Sequence, residues 1–303
     1  MTVRTSNAGI RHGHPTVSVV VPVFNDAEGA NLCLAALARQ DYPLDRFEVV
    51  VVDNGSQPPL NIDAPPSLVV RKIECVTPGA YAARNEGVLA SRGDFLAFTD
   101  ADCIPSPCWI SAGTRALLAL GAGTVVGGDV AFFPPTRRNG ASLYQFETGF
   151  QQKENIEYKG FGATANLLCS RRQFEIVGPF DQRLLSGADR EWAWRAAKHG
   201  ISISYCADAR VQTNVRSTLG GAIRQARRVA AGRRYIARNG LGWIGDHAVR
   251  PHRSSLGALY WIVTRRQLSP WERLRVLSAA IVIRIATLVE NFRLALGSRP
   301  ERR

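Results

Sequence analysis

Two aspartates, Asp100 and Asp102, follow an apolar stretch of the chain with a single alanine between them. In an extended segment residues i and i+2 point to the same side, so both carboxylates can face one ligand. Two hard oxygen donors at a strand end suit Mg²⁺ or Mn²⁺ shared with a diphosphate. Such a metal would offset the charge that develops on a departing nucleoside diphosphate. The alternative is an ordinary solvated turn, but the position after a buried strand favours a metal site.

A third aspartate, Asp53, ends the apolar run FEVVVVD and precedes the turn residues Asn-Gly-Ser. Its carboxylate can accept a hydrogen bond from a base N–H or a ribose hydroxyl. Aspartate is also well suited to cap a turn through hydrogen bonds to the nearby backbone. The binding role is favoured only when Asp53 is considered together with Asp100 and Asp102.

Arg84 lies in the segment PGAYAARNEGVLASRGD, on a predicted helix that precedes the strand leading to Asp100. A cation at this position can meet a phosphate, or it can form helix-spaced ion pairs at the surface. The residues alone leave the two roles equally open.

The segment SGADREWAWRAAKHG contains two acids with different expected roles, Asp189 and Glu191. Residues at spacing i, i+2 on a helix point in different directions, so the two carboxylates are not expected to serve one reaction. Glu191 precedes Arg195 by four residues, which predicts a structural ion pair. Asp189, at the helix start, is either a cap or a general base reaching into a cleft.

The elements that would position these residues alternate between strands and helices. The sequence predicts buried strands at 17–24, 47–53, 68–74, 94–100 and 124–133, a shorter strand at 201–206, and helices up to about residue 40 and at 79–91, 109–120 and 189–199. This alternation indicates an α/β fold with a mostly parallel central sheet flanked by helices. Ligands of such sheets bind beyond the carboxyl ends of the strands, which is where Asp53 and Asp100 are expected.

Composition excludes several classes of protein. The chain has 303 residues, of which 46% are hydrophobic and 21% charged, so a disordered or collagenous protein is excluded. No apolar run reaches the ~18–20 residues of a membrane-spanning helix, and residues 1–16 have no apolar core typical of a secretory signal. The six cysteines show no C-x-x-C spacing. We therefore expect reduced thiols and a cytoplasmic protein.

The net charge of +13 is concentrated near the carboxyl terminus. Residues 216–303 contain 18 arginines, no lysine and four acids, whereas residues 1–215 contain 20 basic and 21 acidic residues. A predicted amphipathic helix at 217–238 contains six of these arginines (Arg224, Arg227, Arg228, Arg233, Arg234 and Arg238). This pattern favours contact with an anionic surface, such as peripheral attachment to the inner membrane face.

Two further helices are predicted after the arginine-rich one, an aromatic helix at 256–266 and a long apolar helix at 270–296. The long helix has an apolar stripe at helical spacing (Leu274, Leu277, Ile281, Ile285, Leu288 and Phe292). Packing of this stripe on the body of the protein, or on a second subunit in a homodimer, is the expected arrangement. Interfacial membrane docking is the less favoured alternative.

Six segments together resemble the family 2 inverting glycosyltransferases with the GT-A fold. The resemblance covers roughly residues 16–215 and rests on motifs in the family's order (VSVVVPVFND, VVVDNGS, PGAYAARNEG, GDFLAFTDADCIP, TANLLCSRRQFEIVGPFD and SGADREWAWRAAKHG). It implies a nucleotide-sugar donor, most often linked to UDP, held across the sheet edge. Asp53 would recognise the base, Asp100 would lie near the ribose and metal, and Asp102 would be the principal metal ligand. Pro22 and Arg84 would line the donor site.

The resemblance also implies that Asp189 is the general base. Two positions depart from the family pattern. Ala188 stands where a glutamate often precedes the base, and the stretch DARVQTNVRST lacks the histidine that completes the metal site in many members. Gln212, Thr213 and Asn214 are the polar residues in its place.

These observations predict an inverting glycosyltransferase that depends on Mn²⁺ or Mg²⁺ and acts on an acceptor hydroxyl, which a lipid or polysaccharide carries. The predicted organisation is a flexible start at 1–15, a GT-A-like domain at 16–215 and a basic helical region at 216–303. A nucleotidyltransferase of similar fold and a non-catalytic binding or scaffold protein are the alternatives. A nucleic-acid-binding protein would account for the basic region but leaves the strand-end aspartates unexplained.

Overall fold

The computed structural model describes residues 14–241, 264–265 and 267–298. The described residues form eight strands: β1 (Val17–Val23), β2 (Phe47–Asp53), β3 (Val69–Glu74), β4 (Phe95–Thr99), β5 (Cys103–Pro105), β6 (Thr124–Phe132), β7 (Asn166–Ser170) and β8 (Ser202–Thr213). The α-helices are α1 (Ala27–Leu37), α2 (Ala80–Ala90), α3 (Trp109–Leu120), α4 (Gly140–Thr148), α5 (Gln152–Lys159), α6 (Arg171–Val177), α7 (Ala188–Lys198), α8 (Leu219–Arg238) and α9 (Pro270–Ala295).

All of these strands belong to one sheet, with the order β3-β2-β1-β4-β7-β6-β8-β5. The half from β3 to β4 is parallel, which confirms the predicted βαβ arrangement. Strand β7 runs antiparallel to β4 and β6, and β5 runs antiparallel to β8, so the complete sheet is mixed. Since β1, β2 and β4 are parallel, their carboxyl ends lie at one edge, where the chain continues into the Asp100 turn.

The core lies on both faces of the sheet because the central strands are apolar along their whole length. In β1, Val19 and Val21 pack into one cluster while Val20 packs into the cluster on the opposite face. The first cluster is covered by α1 and α3, and the second contains residues of α2, α6 and α7. Continuous β-branched runs of this kind are typical of parallel strands buried on both faces.

Strand β8 is longer than the sequence predicts. The predicted strand ends at residue 206, whereas β8 continues to Thr213. Its first half pairs with β6, and after a register shift at Gly128 and Asp129 the pairing resumes at Arg210. The end of β8 also pairs with β5, where Thr213 lies opposite Cys103. The charged residues after residue 206 interrupt the apolar pattern of a strand. This stretch is a strand because it pairs with β6 and β5.

Helices α8 and α9 pack on each other and on α4 at one side of the molecule. The side of α9 that packs inward includes Val276, which is buried with Leu143 of α4. The start of α4 approaches α9 so closely that a Cβ at Gly140 would lie 2.3 Å from the carbonyl oxygen of Arg275. The basic helical region is therefore joined to the body by tight contacts.

The expected packing of the apolar stripe on the body is wrong for five of its six residues. Leu277 is partly buried, but the others point away from the body, because α9 packs inward through the side that bears Val276, Ala279 and Leu294. We call the exposed apolar side the outward face of α9 (Trp271, Leu274, Ile281, Val282, Ile285, Leu288, Val289 and Phe292). Packing on a second subunit stays a prediction.

No helix among the described residues has the length and apolar character needed to cross a membrane. The predicted aromatic helix at 256–266 falls almost entirely outside the described residues, as does most of the predicted flexible start at 1–15. The domain boundaries at residues 15 and 215 stay predictions.

Candidate active site

The turn between β4 and β5 brings together Asp100, Asp102 and Cys103. One ligand atom from each lies within 4.8 Å of the other two. The turn is closed by the Cys103 N–H, which donates to the Asp100 carbonyl oxygen at 3.1 Å. Burial, together with the charges of both aspartates, raises the pKa of the Cys103 thiol well above its ordinary value. The thiol therefore stays protonated, and the two carboxylates are the hard oxygen donors of this turn.

The Asp102 side chain opens to a cleft, but the walls of the cleft remove part of its water. This desolvation, together with the negative charge of Asp100, raises the pKa of Asp102 to about 6, against a smaller opposing effect of Arg216. Two carboxylates at this separation repel each other when both are ionised. A divalent cation between them would remove that repulsion, so the donor set fits the predicted Mn²⁺ or Mg²⁺.

Arg84 of α2 connects the aspartate turn to the start of α7. Its side chain is buried, and one guanidinium nitrogen donates to Asp100 Oδ1. The guanidinium carbon also lies 5.4 Å from the centre of the Tyr81 ring. Its Nε has no hydrogen-bond partner in the described structure. Of the two roles left open by the sequence, the structure excludes a surface position and pairs the guanidinium with Asp100 at the candidate site.

Asp189 is the second residue of α7 and lies beside this arginine. The helix starts from Gly187, whose φ of 88° lies in the left-handed region and whose N–H donates to the Tyr81 hydroxyl at 3.2 Å. Burial raises the pKa of Asp189, although the Arg190 N–H and the charges of Arg84 and Arg190 oppose that shift. A carboxylate with a raised pKa is a better general base than an exposed one.

Asp53 lies at the end of β2 with its carboxylate turned into the loop that follows. Its two oxygens accept the N–H groups of Ser56 at 2.9 Å and Leu60 at 3.1 Å. Burial would raise the pKa of Asp53, but these hydrogen bonds outweigh it and lower the pKa. The carboxylate thus caps the loop, which is the second of the two roles that the sequence allows for Asp53. Recognition of the base by Asp53 stays a prediction. Pro22, one residue before the end of β1, is partly exposed near the same edge.

Two adjoining cavities contain the remaining candidate groups. The first, about 660 Å³, is lined by Asp102 and by four arginines (Arg216, Arg224, Arg227 and Arg228). The second, about 440 Å³, is lined by Asp189, by aromatic side chains (Phe132, Tyr144, Phe150 and Phe161) and by Ile283 of α9. Gln225 of α8 lines both cavities and accepts a hydrogen bond from Arg216 at 3.1 Å. Asp102, a candidate metal ligand, and Asp189, the candidate base, therefore face neighbouring spaces.

Arg216 is a site residue that the motif analysis missed. It lines the cavity that contains Asp102, and its guanidinium donates to Gln225 of α8. Burial and the charge of Arg228 lower the pKa of Arg216, against opposing effects of Asp102 and Asp100. Asn214, from the stretch without the expected histidine, lines the same cavity. Both follow β8, and only the antiparallel pairing of β8 with β5 brings them to the aspartates. No local pattern of the sequence indicates that pairing.

The second acid of α7 has the predicted structural role. Arg195 contacts both carboxylate oxygens of Glu191 at 2.9 Å, and Glu191 is buried. Arg195 also donates to the carbonyl oxygens of Val177 and Pro179, so the pair holds α7 against the end of α6.

Residues 18–172 match the family described as Glycosyl transferase family 2, and the chain belongs to that family. Glycosyltransferase AglE from Haloferax volcanii is 39% identical over 199 residues, which cover 64% of this chain and 65% of that protein. Pre-mycofactocin glycosyltransferase from Mycobacterium tuberculosis is 30% identical over 207 residues, which cover 63% of this chain and 41% of that protein. The chain therefore matches only part of the length of these relatives.

Solved structures of similar fold include the mannosyltransferase PcManGT from Pyrobaculum calidifontis, in complex with GDP-Man and Mn²⁺. It is 20% identical, with a TM-score of 0.60 over 94% of this chain and 80% of that chain. TarS from S. aureus, in complex with UDP-GlcNAc, is 18% identical, with a TM-score of 0.54 over 90% of this chain and 81% of that chain. This likeness confirms the predicted GT-A fold.

Proposed function

We propose that the protein is a metal-dependent inverting glycosyltransferase that moves a sugar from a nucleoside diphosphate, with UDP as the proposed nucleotide, to an acceptor hydroxyl. The observation that carries the proposal is the placement of Arg84. Its guanidinium contacts Asp100 of the aspartate turn and acts electrostatically on Asp189. The aspartate turn proposed to hold the metal and the candidate base are thereby linked through one buried cation.

The donor diphosphate would bind in the first cavity. Asp100 and Asp102 would hold Mn²⁺ or Mg²⁺, which when bound would offset negative charge on the leaving diphosphate. Arg216 and the arginines of α8 that line this cavity add positive charge where the leaving group develops its own. Preorganised charges of this kind usually contribute a large share of transition-state stabilisation.

The acceptor would bind in the second cavity, with its hydroxyl at Asp189. In one step the acceptor oxygen forms a bond to the anomeric carbon, the bond from that carbon to the diphosphate oxygen breaks, and the hydroxyl proton passes to Asp189. Attack from the face opposite the leaving group inverts the anomeric configuration. Aromatic rings such as Phe161 and Tyr144 in this cavity offer apolar faces for an acceptor. We propose an acceptor carried by a lipid or a polysaccharide.

The test is release of nucleoside diphosphate from a panel of UDP- and GDP-sugars, with and without Mn²⁺. Asp102→Asn should abolish the effect of Mn²⁺, and Asp189→Asn should lower turnover by ~10²–10⁴-fold, the usual range for general acid–base catalysis. Asp208→Asn is the matched control, because Asp208 is exposed on β8 and lines neither cavity. Equal rates for all variants, or no dependence on a divalent ion, would contradict the proposal.

The same experiment separates the alternatives. Binding of a nucleotide sugar without turnover on any acceptor supports a non-catalytic relative. Release of pyrophosphate instead of a nucleoside diphosphate supports a nucleotidyltransferase.

Peripheral contact with an anionic membrane is also part of the proposal, and a homodimer stays a prediction. The arginines of α8 support such contact only in part. Arg224, Arg227 and Arg228 line the cavity that contains Asp102, and Arg233 lines the one that contains Asp189. Four of the six arginines that the sequence predicts to contact a membrane therefore line the two cavities.

A further inference from the structure

The outward face of α9 is an apolar surface that no described residue covers. Its side chains range from 38% exposed at Val282 to 75% exposed at Trp271. Because an α-helix rises ~1.5 Å per residue, this surface extends over about 32 Å from Trp271 to Phe292. Continuous apolar surfaces of this size are uncommon on soluble monomers and mark contact with a protein or a membrane.

An apolar recess continues the surface toward the body of the protein. It has a volume of about 500 Å³ and lies between α9 and the first turns of α4 and α8. Leu219, Trp271, Leu274 and Val282 line it. The apolar region is thus broader than a single helix face.

The exposed charged side chains beside the outward face are cationic, and the exposed polar residues Ser278 and Asn291 are neutral. Arg275 and Arg284 are exposed on α9. Helix α8 contains no acid, and both acids of α9, Glu272 and Glu290, are held in ion pairs with arginines. If a second copy packed on this face, the arginines of the two copies would lie close together. Neither α8 nor α9 has an unpaired acid to balance their charge, so a dimer is disfavoured. Anionic lipid headgroups supply the missing charge.

We propose that the outward face of α9 docks on an anionic lipid bilayer. Its apolar side chains enter the boundary between headgroups and acyl chains, and Arg275 and Arg284 contact the headgroups. An apolar face bordered by arginines, on a helix that does not span the membrane, is the arrangement of interfacial helices.

Co-sedimentation with vesicles tests this proposal. The full chain should bind vesicles of phosphatidylcholine mixed with phosphatidylglycerol, bind pure phosphatidylcholine weakly, and dissociate as salt is added. The triple variant Ile281→Gln, Ile285→Gln, Leu288→Gln should bind at least about tenfold more weakly, which corresponds to about 1.4 kcal/mol. The fluorescence of Trp271 should shift to shorter wavelength on binding, and Trp271→Phe should lose that shift.

The matched control removes three exposed apolar side chains elsewhere. Val76, Leu89 and Leu118 are 94%, 79% and 61% exposed and lie outside α8 and α9, so Val76→Gln, Leu89→Gln, Leu118→Gln should bind vesicles like the wild type. Equal binding by both triple variants would overturn the proposal. The proposal would also be overturned if the wild-type protein does not bind anionic vesicles, whether it is a dimer or a monomer in solution.

Asp102→Asn distinguishes this proposal from the proposed function. It should bind vesicles normally while losing stabilisation by a nucleotide sugar and Mn²⁺. The α9 triple variant should show the reverse pattern, because its substituted side chains point away from both cavities. If the wild type binds vesicles normally but binds no nucleotide sugar, the proposed glycosyltransferase function is contradicted and the membrane proposal is not.

Discussion

Asp102 and Asp189 are both carboxylates with raised pKa values, but the causes differ and so do the consequences. Desolvation and the charge of Asp100 act on Asp102, so its proton competes with a cation. Burial acts on Asp189, opposed by Arg84 and Arg190, so its proton affinity suits a base. Each side chain is matched to a role by the groups around it rather than by its type.

Binding of Mn²⁺ should weaken as pH falls below about 6. A metal ligand must be deprotonated, and the pKa of Asp102 is raised to about 6. Proton competition therefore weakens binding ~10-fold for each pH unit below that value, and the affinity levels off above it. Calorimetric titration with Mn²⁺ across this range measures the effect. An affinity that is independent of pH in the wild type would contradict Asp102 as a ligand, and Asp208→Asn should titrate like the wild type.

Substitution of Arg84 by methionine should weaken donor binding and change the pH dependence of turnover. Loss of a hydrogen bond between charged groups costs ~1.5–3 kcal/mol, or about 10- to 150-fold in affinity. Because Arg84 lowers the pKa of Asp189, its removal should raise that pKa further and move the acid limb of the pH–rate profile to higher pH.

Arg92→Met is the control for this experiment, since Arg92 is exposed in the loop after α2. A profile that stays in place in Arg84→Met would show that Asp189 does not carry the rate-determining proton.

The sequence predicts most of the strands and helices in the parallel half of the sheet. The bounds of β2 and α3 agree with the predicted ones, and those of β1, β3, β4 and α2 agree within one residue. These elements have a strong apolar pattern of their own. Strands β5 and β7 were not assigned, because β5 has three residues and β7 gains its place by pairing with β4 and β6.

The candidate site divides in the same way. Asp100, Asp102 and Arg84 lie within the parallel half and were found from their motifs. Arg216 was missed because it reaches the aspartates only through the pairing of β8 with β5. Packing of the apolar stripe on the body was predicted wrongly for five of its six residues, since periodicity shows that a face is apolar but not which side of α9 meets the body.

Helix α8 holds the start of α7 through a close approach at Gly232. A Cβ there would lie 2.0 Å from the carbonyl oxygen of Ser186, three residues before Asp189. Gly232→Ala should therefore destabilise the fold by ~1–3 kcal/mol, the usual cost of overpacking, and lower turnover by displacing this loop. Chemical denaturation and steady-state kinetics measure the two effects.

Gly220→Ala in the same helix is the control. Its Cβ would meet only the flexible Arg224 side chain at 3.7 Å. Alanine favours the helix by up to ~1 kcal/mol, so this variant should be as stable as the wild type or more so. If Gly232→Ala behaves like Gly220→Ala, the contact between α8 and the α7 start is looser than described.

In the complete chain, α8 and α9, which follow the last strand of the sheet, contribute walls to both cavities. The first is lined by the chain from Asn214 through α8, and the second by α8 together with α4, α5 and α9. The predicted boundary at residue 215 thus passes through the site. A protein truncated there would lack the arginines and Gln225, so the intact chain is the unit to study.

A donor bound between the sheet and these helices should stabilise the entire fold. A ligand present at ~100 times its Kd and bound only by the folded state adds about 2.7 kcal/mol. We expect the melting temperature to rise with Mn²⁺ and the correct nucleotide sugar together, and little with either alone. Asp102→Asn should remove the effect and Asp208→Asn should keep it. A rise with nucleotide sugar that needs no divalent ion would assign donor binding to the arginines instead.

The family match ends at residue 172, before Asp189, Arg216 and both carboxyl-terminal helices. Both cavities combine residues from the two sides of that limit: the donor cavity joins Asp102 to Arg216, and the acceptor cavity joins Tyr144 to Asp189. A chimera that exchanges the later tract between related enzymes is therefore expected to change the selection of both the sugar donor and the acceptor.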